Sequence, residues 1–197
     1  MLNVIVRVDA STVIGSGHLI RCLTLAKRLR RMGHSVTFVM RAHQGSMQSV
    51  VEQQGFSYRM MACPSSYHGK EYESWLGVSQ REDAVETIAV MGKQVNLLIV
   101  DHYALDHEWE ELLRPHVNSI LVIDDLAAEK GNKYASLVPR SCHTFLGINY
   151  LFLRQEFYDV TLRQCYDVGT EHDCMRGFVC FGGSDPTNET MRTIRAL

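Results

Sequence analysis

The chain has 197 residues, of which 46% are hydrophobic and 21% are charged, and its formal net charge is −2. This composition is typical of a globular protein, and the balance of acidic and basic residues argues against a surface for nucleic acid. The longest apolar runs have the length of a strand, far short of the roughly 20 residues that a membrane-spanning helix needs. Because the first residues form such a run rather than a signal peptide, we expect a cytoplasmic protein without a nucleic-acid or membrane partner.

Strand-like apolar runs alternate with helical patterns from the N-terminus to Ile123. The predicted strands are Leu2–Val8, Ser35–Arg41, Phe56–Ala62, Val95–Val100 and Ser119–Ile123. The predicted helices are Gly17–Met32, Gln44–Gln54, Arg81–Met91 and Asp106–Leu113. The predicted buried face of the third helix comprises Ala84, Val85, Ile88 and Met91. This alternation predicts an α/β fold with a Rossmann-like parallel sheet, in which ligands bind beyond the carboxyl ends of the strands.

The loop after the first strand carries two glycines, Gly15 and Gly17, and places His18 in the first turn of a helix. Backbone N–H groups at a helix start lack partners and face a positive dipole end, so they favour phosphate and disfavour an imidazolium. We therefore predict a neutral His18 that acts as general base beside a phosphate-bearing ligand. Arg21, one turn later, is predicted to pair with a phosphate or with Asp9.

The two glycines of this loop are also found in dinucleotide-binding sites, but two features of the sequence depart from that motif. The third glycine of that motif is replaced by Ile20, and the second predicted strand ends in Arg41 rather than in an acid that would hold a ribose. An arginine at this position suits the 2′-phosphate of NADP, so an NADP site stays a minor alternative. Asp9 and Ser11 are expected either to brace the loop or to contact substrate.

Polar residues also follow the fourth and fifth predicted strands. Asp101 and Tyr103 come after the fourth strand, where capping and substrate contact are both consistent with the pattern. Of Asp124-Asp125, one residue is expected to cap and the other to face the cleft. Trp75 and Trp109 are expected to pack in the interior rather than to form stacking surfaces.

The pattern weakens after Lys130 and then repeats its opening unit. Gly177–Phe181 is a predicted strand, and a helix is predicted from Glu189. Between them, a glycine-rich segment is typical of a backbone cradle for an anion. Its candidate binding residues are Gly182, Gly183, Ser184, Asn188 and Thr190. We therefore expect an N-terminal domain at 1–158, a linker at 159–175 and the start of a truncated nucleotide-binding domain at 176–197.

The six cysteines include no C-x-x-C pair, and we expect free thiols packed as small hydrophobic residues. The spacing of Cys165, His172, Cys174 and Cys180 matches no common zinc pattern. We therefore expect neither a metal nor a cofactor.

Several motifs, in order along nearly the whole chain, resemble those of the PseG/SpsG family of nucleotide-sugar hydrolases. They are Arg7–Ser11, Ile14–His18, Arg21–Ala26, Val100–Leu105, Ile123–Leu126, Leu151–Phe157 and Phe181–Asn188. The resemblance implies a GT-B architecture like that of the glycosyltransferase MurG, with two Rossmann-like domains and the nucleotide-sugar between them. We expect a monomer.

The resemblance further implies an activity in pseudaminic acid biosynthesis. A family enzyme releases UDP from UDP-2,4-diacetamido-2,4,6-trideoxy-β-L-altrose without a metal, by attack of water on the anomeric carbon. His18 matches the general base of the family, and the loop at Gly182 lies near the diphosphate. Asp101, Tyr103 and Arg154 fall within family motifs and are candidate substrate-binding residues.

Two departures from the family accompany this resemblance. After Leu126 the chain runs through 127–132 directly to Tyr134, so either a segment is missing from the sequence or the first sheet ends one strand early. Of the second domain we expect only the first strand, loop and helix start. Two alternatives therefore stay open, namely a GT-B glycosyltransferase with a UDP-sugar donor and an inactive remnant that binds a nucleotide-sugar.

Overall fold

The computed structural model describes residues 1–64, 72–125, 138–154, 156–157, 179–180, 185 and 187–196. Its centre is a parallel sheet of five strands in the order β3-β2-β1-β4-β5. The strands are Asn3–Val8 (β1), Ser35–Arg41 (β2), Ser57–Met61 (β3), Val95–Asp101 (β4) and Val117–Val122 (β5). The sheet and its flanking helices confirm the predicted α/β Rossmann-like fold.

Five α-helices and three short 3-10 helices accompany the sheet in the described part of the chain. The α-helices are Gly17–Arg31 (α1), Gln48–Gln53 (α2), Gln80–Met91 (α3), His107–Leu113 (α4) and Glu189–Ala196 (α5). The 3-10 helices are Tyr72–Leu76, Arg114–His116 and Ile148–Tyr150. Helix α2 begins four residues later than predicted, because Gly45 adopts a left-handed φ of 74° and turns the chain before the helix starts.

Two apolar clusters cover the two faces of the sheet. Strand β1 serves both, since Val4, Val6 and Val8 join the cluster under α1 and α2, whereas Ile5 joins the other cluster. The second cluster contains Trp109 of α4 along with residues of α3. A parallel sheet that is buried on both faces needs apolar residues at successive positions, which explains the apolar run Val4–Val6 of β1.

The buried face of α3 differs from the predicted one. Asp83, Ala84, Thr87 and Met91 are buried, whereas Val85 is 62% exposed. The apolar periodicity was misleading because two polar residues, Asp83 and Thr87, occupy the inner face. They are held there by hydrogen bonds, of which Trp109 Nε1 donates one to Asp83 Oδ1 at 3.0 Å.

Helix α3 starts with a reciprocal cap. Ser79 Oγ accepts a hydrogen bond from the backbone N–H of Glu82, and the Glu82 carboxylate accepts one from the backbone N–H of Ser79. Replacing Ser79 with alanine should lower the free energy of unfolding by about 1 kcal/mol. Chemical denaturation measures this loss, and Ser79→Asp, which restores an acceptor, should recover most of it. Equal stabilities of the alanine variant and the parent chain would contradict the role of the cap.

The register of the central strands brings two loops together. Val8 at the end of β1 pairs with Asp101 at the end of β4, so the loops that follow both strands leave the sheet at one edge. The sheet of the described residues ends at β5. Residues 126–137, in which the strand expected from the family pattern is missing, lie outside the described residues, as does the predicted linker at 159–175. The absence of that strand and the position of the linker therefore both stay predictions. Among the described helices, none is long and apolar enough to span a membrane.

Candidate active site

An open pocket of about 330 Å³ lies where β1 and β4 end. The glycine loop forms one side of it, aromatic rings form another, and charged groups lie between them. The lining residues are Ile14, Gly15, Ser16, Gly17, His18, Arg21, Tyr72, Trp75, Tyr103 and Asp125. Parallel sheets of this type bind ligands at this edge, so the pocket has the expected location.

Ser11 braces the glycine loop from within. Its Oγ accepts hydrogen bonds from the backbone N–H groups of Val13 and Ile14, and its carbonyl accepts one from Gly15 N at 2.9 Å. Gly15 has a φ of 81°, a conformation that side chains with a Cβ rarely adopt. This turn leads the chain to the start of α1, so that Gly15, Gly17 and His18 all line the pocket.

His18 and Asp101 form a buried pair at the inner end of the pocket. The distance from His18 Nδ1 to Asp101 Oδ1 is 2.6 Å, and the Asp101 side chain is fully buried. Burial raises the pKa of Asp101, but hydrogen bonds from Arg21 and His18 outweigh it and hold that pKa below its ordinary value. Asp101 is therefore a carboxylate at neutral pH, and Nδ1 carries the proton that it donates to Asp101.

This tautomer determines what the imidazole can do. With Nδ1 protonated, Nε2 has a free lone pair, and among the described residues all hydrogen-bonding contacts of the His18 ring are made through Nδ1. A carboxylate that holds one ring nitrogen also stabilises the imidazolium that forms when the other accepts a proton. The pair is therefore arranged for general-base chemistry.

Arg21 is bound by two carboxylates. Its Nε and one terminal nitrogen contact the two oxygens of Asp101 at 2.5 and 2.6 Å, and its other terminal nitrogen contacts Asp125 Oδ2 at 2.6 Å. The predicted pairing of Arg21 with Asp9 is therefore wrong, because the guanidinium reaches across to β4 and to the loop after β5. Asp125 lines the pocket, as expected of one member of the Asp124-Asp125 pair.

Three aromatic residues, Tyr72, Trp75 and Tyr103, form a wall of the pocket, hereafter the aromatic wall. Trp75 and Tyr103 stack with ring centroids 5.8 Å apart at 29°, and Tyr72 meets both edge-on. The Tyr103 ring packs edge-on against His18 at 4.5 Å, and its hydroxyl donates a hydrogen bond to Asp125. Burial raises the pKa of Tyr103, so the phenol stays protonated and remains a donor.

The position of Trp75 corrects the expectation that it packs away from ligands. It lies in a 3-10 helix that presents it to the pocket, whereas Trp109 is fully buried as predicted. The sequence signal that could have identified the wall is the pair of aromatic residues, Tyr72 and Trp75, three positions apart in an otherwise polar segment. Residues i and i+3 lie on the same side of a 3-10 turn, which explains why both reach the pocket.

Asp9 does not line the pocket. It is buried, and its carboxylate contacts Arg7 at 2.7 and 2.9 Å and accepts a hydrogen bond from the backbone N–H of Arg41 at 2.7 Å. Nε2 of His102 and Nε2 of His43 lie 3.3 and 3.5 Å from the same carboxylate. Although burial raises the pKa of Asp9, the Arg7 charge holds it well below its usual range. Of the two roles considered for Asp9, the structure supports bracing.

The guanidinium of Arg41 is likewise committed to the interior. It is fully buried and contacts Asp83 and Glu86, each at 2.7 Å. It also donates a hydrogen bond to the carbonyl of Ala62. Because these partners occupy Arg41 beneath the surface, it does not offer its charge to a 2′-phosphate, and the NADP alternative loses the residue on which it rested.

The remaining predicted residues come from later in the chain. Arg154 is exposed, with its guanidinium 5.3 Å from the ring centre of Phe157. Gly182, Gly183 and Ser184 lie outside the described residues. Among the described residues that line the pocket, none comes from beyond Asp125.

Helix α5 begins with a carboxylate cap. Asp185 accepts hydrogen bonds from the backbone N–H groups of Glu189 at 2.8 Å and Thr190 at 2.9 Å. Asn188 precedes the helix with a φ of 57°. In the structure the Thr190 amide is thus bound to Asp185, and binding of a ligand by Asn188 or Thr190 stays a prediction.

Within the described residues, no group of three or more His, Cys, Asp or Glu side chains is arranged to hold a metal ion. Of the zinc candidates considered from the sequence, Cys180 is described as a free, exposed thiol. Cys165, His172 and Cys174 lie outside the described residues.

Comparison with known proteins adds two distant relatives. No protein-family model matches the chain. Its whole length is similar to the UDP-2,4-diacetamido-2,4,6-trideoxy-beta-L-altropyranose hydrolase of Campylobacter jejuni, with 26% identity across 66% of that protein. It is also similar to an uncharacterised protein of Methanocaldococcus jannaschii, with 22% identity across 40% of that protein. The chain thus spans slightly less than two thirds of the first relative and relates distantly to the family that its motifs resemble.

Proposed function

We propose that this chain contributes the general base of a UDP-sugar hydrolase that releases UDP from UDP-2,4-diacetamido-2,4,6-trideoxy-β-L-altrose. The observation that carries the proposal is the His18–Asp101 pair at a pocket on the ligand edge of the sheet, in which Asp101 binds Nδ1 and Nε2 has no hydrogen-bond partner among the described residues. The similarity of the whole chain to the Campylobacter jejuni hydrolase supports the choice of substrate.

The pair accounts for activation of the attacking water. Nε2 of His18 accepts a proton from a water molecule in the pocket as the water oxygen attacks the anomeric carbon. The bond from that carbon to the UDP oxygen breaks, and UDP leaves with the electron pair. Asp101 stabilises the imidazolium until the proton returns to solvent. Because a diphosphate is already a good leaving group, positioning of the water is the main requirement.

The other lining groups suit a sugar. The aromatic wall offers flat apolar faces for the ring carbons and the methyl groups of a deoxy, acetylated sugar. Asp125 offers carboxylate oxygens to amide or hydroxyl donors at the rim of the pocket. The proposal assigns the diphosphate to Gly182, Gly183 and Ser184, together with Arg154, Asn188 and Thr190.

Replacing Trp75 with alanine should raise KM for the UDP-sugar about tenfold with little change in kcat, because it removes a stacking surface worth about 1.4 kcal/mol. Steady-state kinetics of UDP release measures the effect. Trp75→Phe keeps an aromatic face and should raise KM only about twofold to threefold. A tenfold fall in kcat at constant KM in the alanine variant would show that Trp75 acts on the chemical step instead of on binding.

³¹P NMR of the chain with the UDP-sugar, in EDTA and again with Mg²⁺, tests the proposed function. We expect the diphosphate signals of the substrate to be replaced by those of free UDP in both conditions. UDP release that requires an added acceptor sugar would indicate a glycosyltransferase. Binding of the UDP-sugar without release would indicate a nucleotide-sugar-binding remnant, and either result would overturn the hydrolase assignment.

A further inference from the structure

We propose that Arg21 is a positioning residue, which balances the charge of Asp101 and thereby keeps His18 in its proton-accepting form, and that it is not a ligand of the substrate phosphates. The kinetic part of this inference rests on the proposed function, but the inference itself concerns the protonation of His18 and can be tested without substrate.

The guanidinium of Arg21 fixes the orientation of the Asp101 carboxylate. Two of its nitrogens donate hydrogen bonds to the two oxygens of Asp101, and the third donates one to Asp125. Such a two-pronged contact fixes the plane of a carboxylate as well as its position. Asp101 Oδ1 therefore stays directed at His18 Nδ1, 2.6 Å away.

The contact between Arg21 and His18 supports the same conclusion. A terminal nitrogen of Arg21 lies 3.1 Å from His18 Nδ1. Because Nδ1 is protonated, both atoms are donors, and they meet because each donates to Asp101 Oδ1. One oxygen of Asp101 thus accepts a hydrogen bond from His18 and another from Arg21.

The charge of Arg21 also affects the protonation of the His18 ring. A lone buried carboxylate strongly favours a positive imidazole beside it, whereas a cation on the same carboxylate offsets that field. The titratable groups that face the ring, among the described residues, come from four parts of the chain. They are Asp101 from β4, Arg21 from α1, Tyr103 from the loop after β4 and Asp125 from the loop after β5.

A neighbouring thiol does not change this balance. Cys22 Sγ lies 3.5 Å from Asp101 Oδ2, and burial raises the pKa of the Cys22 thiol well above its usual value. It therefore stays neutral. Tyr103 stays neutral as well, so within the described part of the chain the ring faces two carboxylates and one cation, which both carboxylates bind.

The charge of Arg21 is already shared between two carboxylates. All three guanidinium nitrogens contact Asp101 or Asp125, and the side chain is 22% exposed. A phosphate bound through one of the remaining N–H groups of Arg21 would lie beside both carboxylates. The repulsion between like charges argues against that arrangement.

The experiment is a pH titration of the His18 ring by NMR in the ¹⁵N-labelled full chain, with the signal assigned from its loss in His18→Asn. In Arg21→Met we expect the pH at which the ring signals change to rise by about one unit or more, since an opposite charge has been removed from Asp101. Arg21→Lys keeps a cation and should restore most of the parent titration. Arg28→Met, which removes an exposed charge from the same helix, should leave it unchanged.

Kinetics of UDP release provides the second readout. In Arg21→Met, kcat/KM at pH 6 should fall about tenfold relative to the parent and approach the parent value above pH 8, because the base is regained on deprotonation. A ring titration in Arg21→Met equal to that of the parent would overturn the inference. So would a pH-independent rise in KM at constant kcat, since that is the signature of a lost phosphate contact. The ring titration decides the question even if the chain releases no UDP.

Discussion

Replacing His18 with asparagine should lower kcat/KM for UDP release by about 10²- to 10⁴-fold, the range that a general base contributes. The asparagine amide nitrogen can take the place of Nδ1 and donate to Asp101 Oδ1, so the buried carboxylate keeps its partner. No basic atom then replaces Nε2. The loss should therefore fall on the chemical step, while the free energy of unfolding stays within about 1 kcal/mol of the parent value.

Single-turnover measurements of UDP release, together with chemical denaturation, separate the two effects. His107→Asn provides a matched control, since the His107 side chain is 78% exposed on α4 and should be replaceable without a change in rate. If His18→Asn retained more than a tenth of the parent rate, another group would have to accept the proton of the water. His18→Ala should lose as much activity and some stability as well, because Asp101 then loses one of its donors.

The backbone was largely predictable from the sequence, and the reason is the periodicity of its apolar residues. Strand β2 runs over Ser35–Arg41 as predicted, β1 and β4 differ by one residue at one end, and β3 is one residue shorter at each end. Such buried strands are continuous apolar runs bounded by polar residues, which is a local signal. The start of α2 was missed because the turn at Gly45 depends on its conformation and not on a pattern of apolar residues.

The individual site residues could also be identified from the sequence, but the pairs that their side chains form could not. His18 and Asp101 are 83 positions apart and meet only because β1 and β4 are neighbours in the sheet. A sequence motif shows that each residue lies near the ligand edge, whereas the pairing depends on side-chain directions across two strands. From the sequence alone, Arg21 could therefore be paired with Asp9. In the structure, Asp9 lies on the other side of β1, where it contacts Arg7 and, through it, Asp83 of α3.

The charged interior beneath the site was the least predictable feature. Arg7 lies within an apolar strand, and Asp83 lies on the inner face of α3, where the apolar pattern predicted hydrophobic residues. Burial of a charge is favourable only when its partners are in place. Those partners come from β1, β2 and α3, so no single segment of sequence carries the signal.

This interior network connects the scaffold to the site. Arg7 joins Asp9 at the start of the glycine loop to Asp83 of α3, and Arg41 joins the same Asp83 to the end of β2. Trp109 of α4 also donates to Asp83. Four elements therefore meet at one carboxylate, and the loop that leads to His18 begins two residues after one of its arginine partners.

Replacing Asp83 with asparagine should accordingly lower the free energy of unfolding at pH 7 by about 3–5 kcal/mol, since two fully buried guanidinium groups lose an anionic partner. Glu86→Gln is the matched control, because Glu86 contacts the same Arg41 at 2.7 Å but its side chain is 42% exposed. That change should cost less than about 1 kcal/mol. Urea denaturation of the three proteins measures both values, and equal losses in the two variants would show that burial of the carboxylate does not govern the effect.

The pH dependence of this loss follows from the titration of Asp83. Burial raises the pKa of Asp83, but the charge of Arg7 and hydrogen bonds from Arg7 and Arg41 outweigh it, so the folded-state pKa lies below the unfolded value of about 3.9. A carboxyl group of this kind stabilises the fold above its unfolded pKa, and the contribution is lost as the pH falls through the lower, folded pKa. The parent chain should therefore lose stability below about pH 4, and the difference between parent and Asp83→Asn should shrink over the same range. A difference that stayed constant from pH 7 to pH 3 would show that the asparagine acts through packing and not through charge.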